Sequence, residues 1–451
     1  MKKFGLIVIG GGSGLKVSSK AAEHGLKVAV IEKGPLGGTC LNRGCIPSKI
    51  LLHTADIAET INGSGKFGIN SKITKIRFSE IIKRASNIVD KEAKEIEQAI
   101  ISDKNTTLYK TGAKFIGNKL VKVGNETITA KKIVIAAGTR PFAPPIPGLK
   151  EAGYITSDEA LRLKKQPKTM TIIGGGYIGC ELAHFFGSLG TKVTILEFID
   201  GLLANEDSEI SKKFTEIFSK KHSVCTGYKA SKVEKSNVKY VVYAERDGKI
   251  KKIVSDELLV AVGRIPNTDT LNATASGIKT SKRGYIEVND FMETNVKGIW
   301  ALGDIAGKWF FKHSANLEAE CVYNNIFSKK KRVNYEAMPH AIFTSPQIAG
   351  VGMREQDLQE KKIPCSKGYC NYKSTGMGQA LQEKDGFVKI LADKKGKILG
   401  CHIIGPDASA LIQEVVVAMK AGSGTVQDII NSVHPHPALT EAVQRAALNV
   451  E

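Results

Sequence analysis

One device occurs twice in this chain. Leu6-Ile7-Val8-Ile9 is a short apolar run, followed by Gly10, Gly11 and Gly12 and a helical pattern through Ala21-Ala22. A second apolar run, Lys27 to Ile31, then closes on Glu32. The order returns 164 residues later: Thr169 to Ile173, then Gly174, Gly175 and Gly176, a helical stretch from Cys180 to Leu189, and Lys192 to Leu196 closing on Glu197. Each copy spans roughly 30 residues, the length a parallel βαβ crossover needs. A chain built on two such units is α/β with parallel sheets.

A second echo follows each copy. Lys132 to Pro141 and Leu258 to Asn267 are both buried-strand runs that end on glycine and proline. Two Rossmann-like dinucleotide-binding domains follow from this. The stretch Pro141 to Gly148 and the loop near Pro266-Asn267 form the crossovers between them. Residues 63–110 carry a helical periodicity at Ile81, Ile82, Ala85, Ile88, Val89, Ala93 and Ile96. From about Asn334 the pattern changes to strand-like runs, Phe387 to Leu391 and Ile398 to Ile404, and a helix over Ala410 to Ala421, an α+β tail of its own. The expected domains are 1–147, 148–270, 271–335 returning to the first, and 336–451.

The glycine turns indicate a ligand. In the pattern G-x-G-x-x-G, backbone N–H groups and a helix N-terminus face a pyrophosphate. The second turn is complete at Gly174, Gly176 and Gly179, with Gly175, Tyr177 and Ile178 between. The first has Gly10 and Gly12, but Leu15 stands at the third position and Gly14 one residue early, so close helix–strand packing is expected to suffer there. Glu32 and Glu197, 22 and 23 residues after the first glycine of each turn, are placed to accept from a ribose 2′-hydroxyl. A carboxylate at Glu197 repels a 2′-phosphate, so NAD is expected rather than NADP.

The most specific segment is Gly37-Gly38-Thr39-Cys40-Leu41-Asn42-Arg43-Gly44-Cys45-Ile46-Pro47-Ser48-Lys49. Two cysteines five apart at a helix entry can form a reducible disulfide, and the helix N-terminus favours the nearer thiolate. This block resembles the active-site segment of the flavin-dependent pyridine nucleotide–disulfide oxidoreductases. So do Ala137-Gly138-Thr139, Trp300 to Asp304, and His434-Pro435-His436-Pro437-Ala438-Leu439-Thr440-Glu441. Within that family the chain looks most like the dihydrolipoyl dehydrogenases.

The resemblance implies a glutathione reductase-like fold with a C-terminal dimerisation domain, an FAD-binding first domain and an NAD-binding second one. It implies FAD on the first glycine turn, with Glu32 at the adenosine ribose and Gly138 and Thr139 close by. Asp304 would stand at the ribityl chain, and Ala113 and Lys312 would make backbone contacts. Lys49 would lie by the flavin and pair with Glu181. NAD would lie on the second turn, with Glu197 at its ribose and Val233 and Gly263 as backbone contacts. Cys45 would face the flavin, and Cys40 would exchange with a dithiol or disulfide substrate, a lipoyl group above others. His436, oriented by Glu441, would be the acid–base and would reach the site from the second subunit of a homodimer. Tyr177 departs from the lipoyl pattern: an aromatic ring in that turn would cover the nicotinamide pocket until NADH displaces it, as in glutathione-type reductases.

Composition sets outer limits. The 451 residues carry 65 Lys and Arg against 45 Asp and Glu, a net charge of +20. That balance admits an acidic or lipoyl-bearing protein partner, but no nucleic-acid reader motif accompanies it. Eight cysteines without any C-x2-C pair give neither a disulfide scaffold nor a metal site, and fit a reducing, cytoplasmic compartment. The apolar start breaks at Gly10 too early for a signal peptide, and no run is long enough to span a membrane. Cys365 and Cys370 repeat the spacing of the first pair without a glycine turn. No terminal cysteine pair of the mercuric reductase kind is present. Two further readings remain: a reductase of another small disulfide, glutathione- or mycothione-like, and a basic binding protein that uses nucleotide folds as scaffold.

Overall fold

The computed structural model describes residues 1–451. The chain divides into two compact units: residues 1–50, 80–142 and 263–335 form the first, and 51–79, 143–262 and 336–451 the second.

In the first unit the strand Lys2–Ile9 lies at the centre of a parallel sheet. Val28–Ile31 and then Thr106–Tyr109 flank it on one side, Glu126–Ile135 and then Ile299–Ala301 on the other. Sheets covered on both faces have strands that are apolar throughout rather than alternating, which is why Leu6 to Ile9 reads as one run. Leu6 and Val8 enter a core with Val17 and Ala21 of the helix Leu15–Glu23 and Val322 of the helix Lys312–Phe327, whereas Ile7 and Ile9 face Phe115, Ile128 and Ile305. An antiparallel meander, Ala113–Gly117 with Leu120–Val123, hangs on the edge of Glu126–Ile135.

The second unit repeats this plan. Ser223–Cys225, Lys192–Leu196, Thr169–Ile173 and Glu257–Val260 form a parallel sheet in the same spatial order, third, second, first, fourth. A three-stranded antiparallel sheet, Lys229–Ser236, Lys239–Arg246 and Lys249–Ser255, again precedes the fourth strand. The duplication read in the sequence is therefore a duplication of topology. In the same unit a five-stranded antiparallel sheet runs in the order His340–Ile342, Ile348–Gly352, Ile398–Ile404, Phe387–Ala392, Ser366–Asn371. The helices Ala408–Ala421 and Thr440–Leu448 close its core through Leu411, Val415, Val443 and Ala446.

Two expectations change. The helix within 63–110 is confined to Phe78–Ser102; Thr106–Tyr109 is a strand, because its residues pair with Val28–Ile31. Thr139–Pro141 pairs antiparallel with Arg264–Pro266, so the two crossovers bind each other inside the first unit. Finally, packing at the first glycine turn is not lost. A Cβ on Gly14 would stand 2.9 Å from Val8 Cγ1 and Ala136 Cβ, so Gly14 gives the close approach expected at Leu15. No helix is long and apolar enough to cross a membrane.

Candidate active site

Both glycine turns bind their acid in the same way. Glu32 Oε2 accepts from Gly11 N at 2.8 Å, and Oε1 from Gly34 N at 2.8 Å. Glu197 Oε2 accepts from Gly175 N at 2.5 Å, and Oε1 from Ile199 N at 2.9 Å. Each carboxylate thus fixes the rim of its turn before any ribose arrives. Gly10 and Gly174 have φ of 112° and 116°, and a Cβ on either would strike the carbonyl of Ala136 or Ala261. Gly179 needs to be glycine for packing, since a Cβ there would lie 2.0 Å from Gly174 O.

Gly176 differs. Its φ is −82°, it is exposed, and nothing lies within 4 Å of a Cβ built on it, so the fold gives no reason for glycine there. Close approach of a ligand to the N-terminus of Tyr177–Ser188 does. The first turn makes the corresponding fit for FAD: only Gly38 Cα, at 3.6 Å, lies near a Cβ on Gly12, while a Cβ on Gly38 would stand 2.7 Å from Gly12 Cα. Two side-chain-free backbones therefore face each other and leave their N–H groups accessible.

Cys40 lies inside a short helix, Gly38–Arg43, rather than at the mouth of the long one; Cys45 opens Cys45–Gly63. Asn42 sets this geometry by donating from Nδ2 to the carbonyls of Leu36, at 2.8 Å, and Gly38, at 3.0 Å. Both cysteines are thiols here, Cys40 half-buried and Cys45 exposed, and they hydrogen-bond each other. That bond, then burial, raise the Cys40 pKa, while the ammonium of Lys312 works the other way. Burial in turn lowers the pKa of Lys312, against the pull of the two sulfurs. Lys312 Nζ donates to Ser13 Oγ at 2.7 Å. Its side chain is therefore a charge beside the thiols, a role the sequence reading, which gave it only a backbone contact, missed.

Asp304 is half-buried in a turn where Oδ2 accepts from Thr139 Oγ1 at 2.9 Å. Burial raises its pKa, opposed by Thr139 and by Arg264. Arg264 clamps Thr139 from the other side, Nε to Oγ1 and Nη2 to the carbonyl, each at 2.8 Å. Gly138 and Gly263 have φ of 62° and 134°, with open space beside each. Glu318, 0% exposed, holds the Asp304 turn by accepting from Gly303 N at 2.5 Å and Tyr335 Oη at 2.8 Å; no sequence motif pointed to it.

Other sites fall as follows. Ala113 begins its strand, at the edge of the first core. Lys49 lies in the first turns of Cys45–Gly63, in the first unit. Glu181 lies in the second unit, where Oε1 accepts from Phe343 N at 3.0 Å. Ile178 is half-buried in the second turn. Val233 gives its N–H to Pro147 O at 2.9 Å and its side chain to the core. His436 Nδ1 lies 3.0 Å from Glu441 Oε1, with the imidazole side chain 74% exposed. His434 is tied to Glu414 and to Ser432 O, a structural role. Cys370 is buried against Asn371 and Ser374, and Cys365 makes no pair with it.

Two nucleotide turns and a contacting thiol pair at a helix start, with a histidine–glutamate pair on the second unit, define a dinucleotide-dependent dithiol–disulfide oxidoreductase. The chain belongs to the pyridine nucleotide-disulphide oxidoreductase family, whose description matches residues 4–342, with its dimerisation domain matching 338–447. The chain is 37% identical to a dihydrolipoyl dehydrogenase of Cupriavidus necator, over 100% of this chain and 98% of that protein. It is 33% identical to a mycothione reductase of Mycobacterium tuberculosis, over 100% of both. Among solved structures it superposes with TM-score 0.89 on the Cu(II) complex of the HOCl-induced flavoprotein disulfide reductase RclA from Escherichia coli, at 27% identity, covering 99% of this chain and 100% of that one. Family membership brings FAD and a pyridine nucleotide as cofactors.

Proposed function

We propose that the protein oxidises dihydrolipoyl groups to lipoyl groups with NAD as acceptor, as a homodimer. The observation that carries the reading is the Cys40–Cys45 thiol contact at the start of Cys45–Gly63, with Lys312 beside it. Glu197, with no basic side chain in its place, supports NAD, and the likeness to the Cupriavidus enzyme supports the lipoyl group. In this reading Gly10, Gly12, Gly14, Glu32, Gly138, Thr139 and Asp304 hold FAD, and Gly174 to Gly179 hold NAD.

The residues act in sequence. One thiol of the substrate gives its proton to His436 Nε2, whose ring Glu441 orients through Nδ1. The thiolate attacks Sγ of Cys40 in the oxidised pair; the Cys40–Cys45 bond breaks and Cys45 leaves as thiolate. The second substrate sulfur then closes on the first. Cys40 leaves with the proton held by His436, and the second substrate proton passes to the imidazole. The substrate is oxidised to a disulfide and the protein pair reduced. Bound FAD supplies the two-electron passage from Cys45 to the nucleotide. His436 is well exposed and Val433 is 99% exposed, which suits a face covered by a second copy that shares its histidine. The surplus charge lies elsewhere, since residues 336–451 carry twelve basic and twelve acidic side chains. An acidic lipoyl-bearing partner fits that distribution.

Tyr177 favours a second reading, reduction of another low-molecular-weight disulfide at the expense of NADH. Anaerobic titration separates the two: reduced lipoamide that bleaches the flavin and yields NADH at catalytic rates supports the first. Inertness to lipoamide with rapid turnover of another disulfide would replace it by the second.

A further inference from the structure

Tyr177 opens the helix Tyr177–Ser188, directly after Gly176. Its hydroxyl donates to Glu206 Oε1, while Glu206 Oε2 lies 2.7 Å from His340 Nε2. The Tyr177 and His340 rings are within 19° of parallel, centroids 6.4 Å apart. Glu206 is only 1% exposed. Burial would raise its pKa, but His340 and then Tyr177 outweigh that and leave it lowered, so the group is a carboxylate.

The backbone around Glu206 is fixed at both ends. Leu203 N donates to Gly175 O at 2.9 Å, inside the glycine turn. Arg354 Nη1 donates to Asn205 O at 3.0 Å, and Gln356 Nε2 to Glu206 O at 2.8 Å. Asp207, the next residue, is ion-paired at 2.9 Å with Lys389, which is fully buried in its strand. The backbone of Glu206 is therefore held in place when the Tyr177 ring moves.

We propose that Glu206, backed by His340, is a positioning residue that holds Tyr177 across the nicotinamide side of the turn, so that a nucleotide must break the Tyr177–Glu206 hydrogen bond to seat its nicotinamide. This rests on the reading of Gly174 to Gly179 as the NAD site. A hydroxyl bonded to a buried carboxylate is among the stronger hydrogen bonds, and parting them leaves a charge half-satisfied. The latch therefore opposes binding of the nicotinamide half of NADH and leaves the ADP-ribose half untouched.

Equilibrium binding to the FAD-loaded dimer tests this, with NADH and ADP-ribose as separate probes. Glu206→Gln and Tyr177→Phe should each tighten NADH by roughly three- to tenfold, the scale of one lost charge-assisted hydrogen bond, with ADP-ribose unchanged. The double variant should gain no more than either single one, because both remove the same bond. Unchanged or weaker NADH binding in both single variants overturns the latch. So does an equal shift for ADP-ribose, which would mean that Glu206 only shapes the turn. A parent protein that binds neither probe overturns the nucleotide site itself.

Discussion

His436 Nδ1 stands 3.0 Å from Glu441 Oε1 across five residues, the imidazole on a loop and the carboxylate in the first turn of Thr440–Leu448. Glu441 is held on its other oxygen by Ala438 N at 3.1 Å, so the pair is a fixed unit, and the His436 bond leads the causes that lower the Glu441 pKa. Replacing His436 by Ala should cut steady-state turnover of the dithiol by roughly 10²–10⁴, the scale of a lost general acid–base. Glu441→Gln keeps an acceptor oxygen but loses the charge, so its loss should be smaller. Both variants should retain full flavin absorbance. Equal turnover in His436→Ala and the parent would remove the histidine from the relay.

The thiol pair makes a chemical prediction. Cys45→Ser should bind flavin normally yet fail to oxidise dithiols, because no disulfide remains to be attacked. Cys40→Ser should fail likewise, but it leaves the Cys45 sulfur at a helix N-terminus, where a thiolate is favoured. Thiol counts before and after mild reduction check the premise: the parent should gain two and each variant none.

Glu197 carries nucleotide choice and turn geometry together, since its oxygens bind Gly175 N and Ile199 N. Glu197→Gln keeps an acceptor while removing the negative charge. Its ratio of kcat/KM for NADH over NADPH should fall. Glu197→Arg should fall further in the ratio but also lose absolute activity, because both backbone bonds go. An unchanged ratio in both variants would detach Glu197 from the ribose.

Two glycines separate packing from ligand approach. Gly14 has an ordinary φ of −60°, yet a Cβ there would lie 2.9 Å from Val8 and Ala136. Gly14→Ala should therefore lower stability by about 1–3 kcal/mol through overpacking, read as a lower denaturation midpoint. Gly176→Ala meets nothing and should leave stability within about 0.5 kcal/mol. It should nevertheless weaken NADH binding, as a methyl group would stand where the pyrophosphate approaches.

These residues also mark how far the sequence could be read. The turns, the two acids and the cysteine pair were legible because each is local: a strand, a glycine and a carboxylate within 23 residues state their own geometry. The His436–Glu441 pair was legible for the same reason. Glu206 was not, because its partners lie 29 and 134 residues away and a lone buried glutamate has no pattern. Lys312 showed nothing of its position beside Cys40, since only the packing of Lys312–Phe327 against Leu15–Glu23 brings it there. The pairing of Thr139–Pro141 with Arg264–Pro266 was not legible either, because it joins segments about 125 residues apart.

A pH dependence follows from two neighbouring histidines shifted in opposite directions. His184 is fully buried, with Nε2 2.8 Å from Asp56 Oδ1 and Nδ1 3.1 Å from Ser188 Oγ; Glu59, itself paired with Lys221 at 2.9 Å, lies 3.6 Å from Nδ1. Burial would lower its pKa, but Asp56 and then Glu59 outweigh burial and leave it raised above 6.5. His222 packs on Phe218, its Nε2 buried without a partner, and burial followed by Lys221 and His184 pushes its pKa down to about 4. The His184 contribution to stability is complete below about pH 6.5 and is lost as pH rises through its folded value. The His222 contribution is complete above about pH 6.5 and is lost as pH falls toward 4. Thermal midpoints of the FAD-loaded protein between pH 4.5 and 8.5 should therefore fall on both sides of a maximum. His184→Asn should flatten the alkaline limb and His222→Leu the acid one. If each variant kept both slopes of the parent, the opposed shifts would have no part in the stability of the fold.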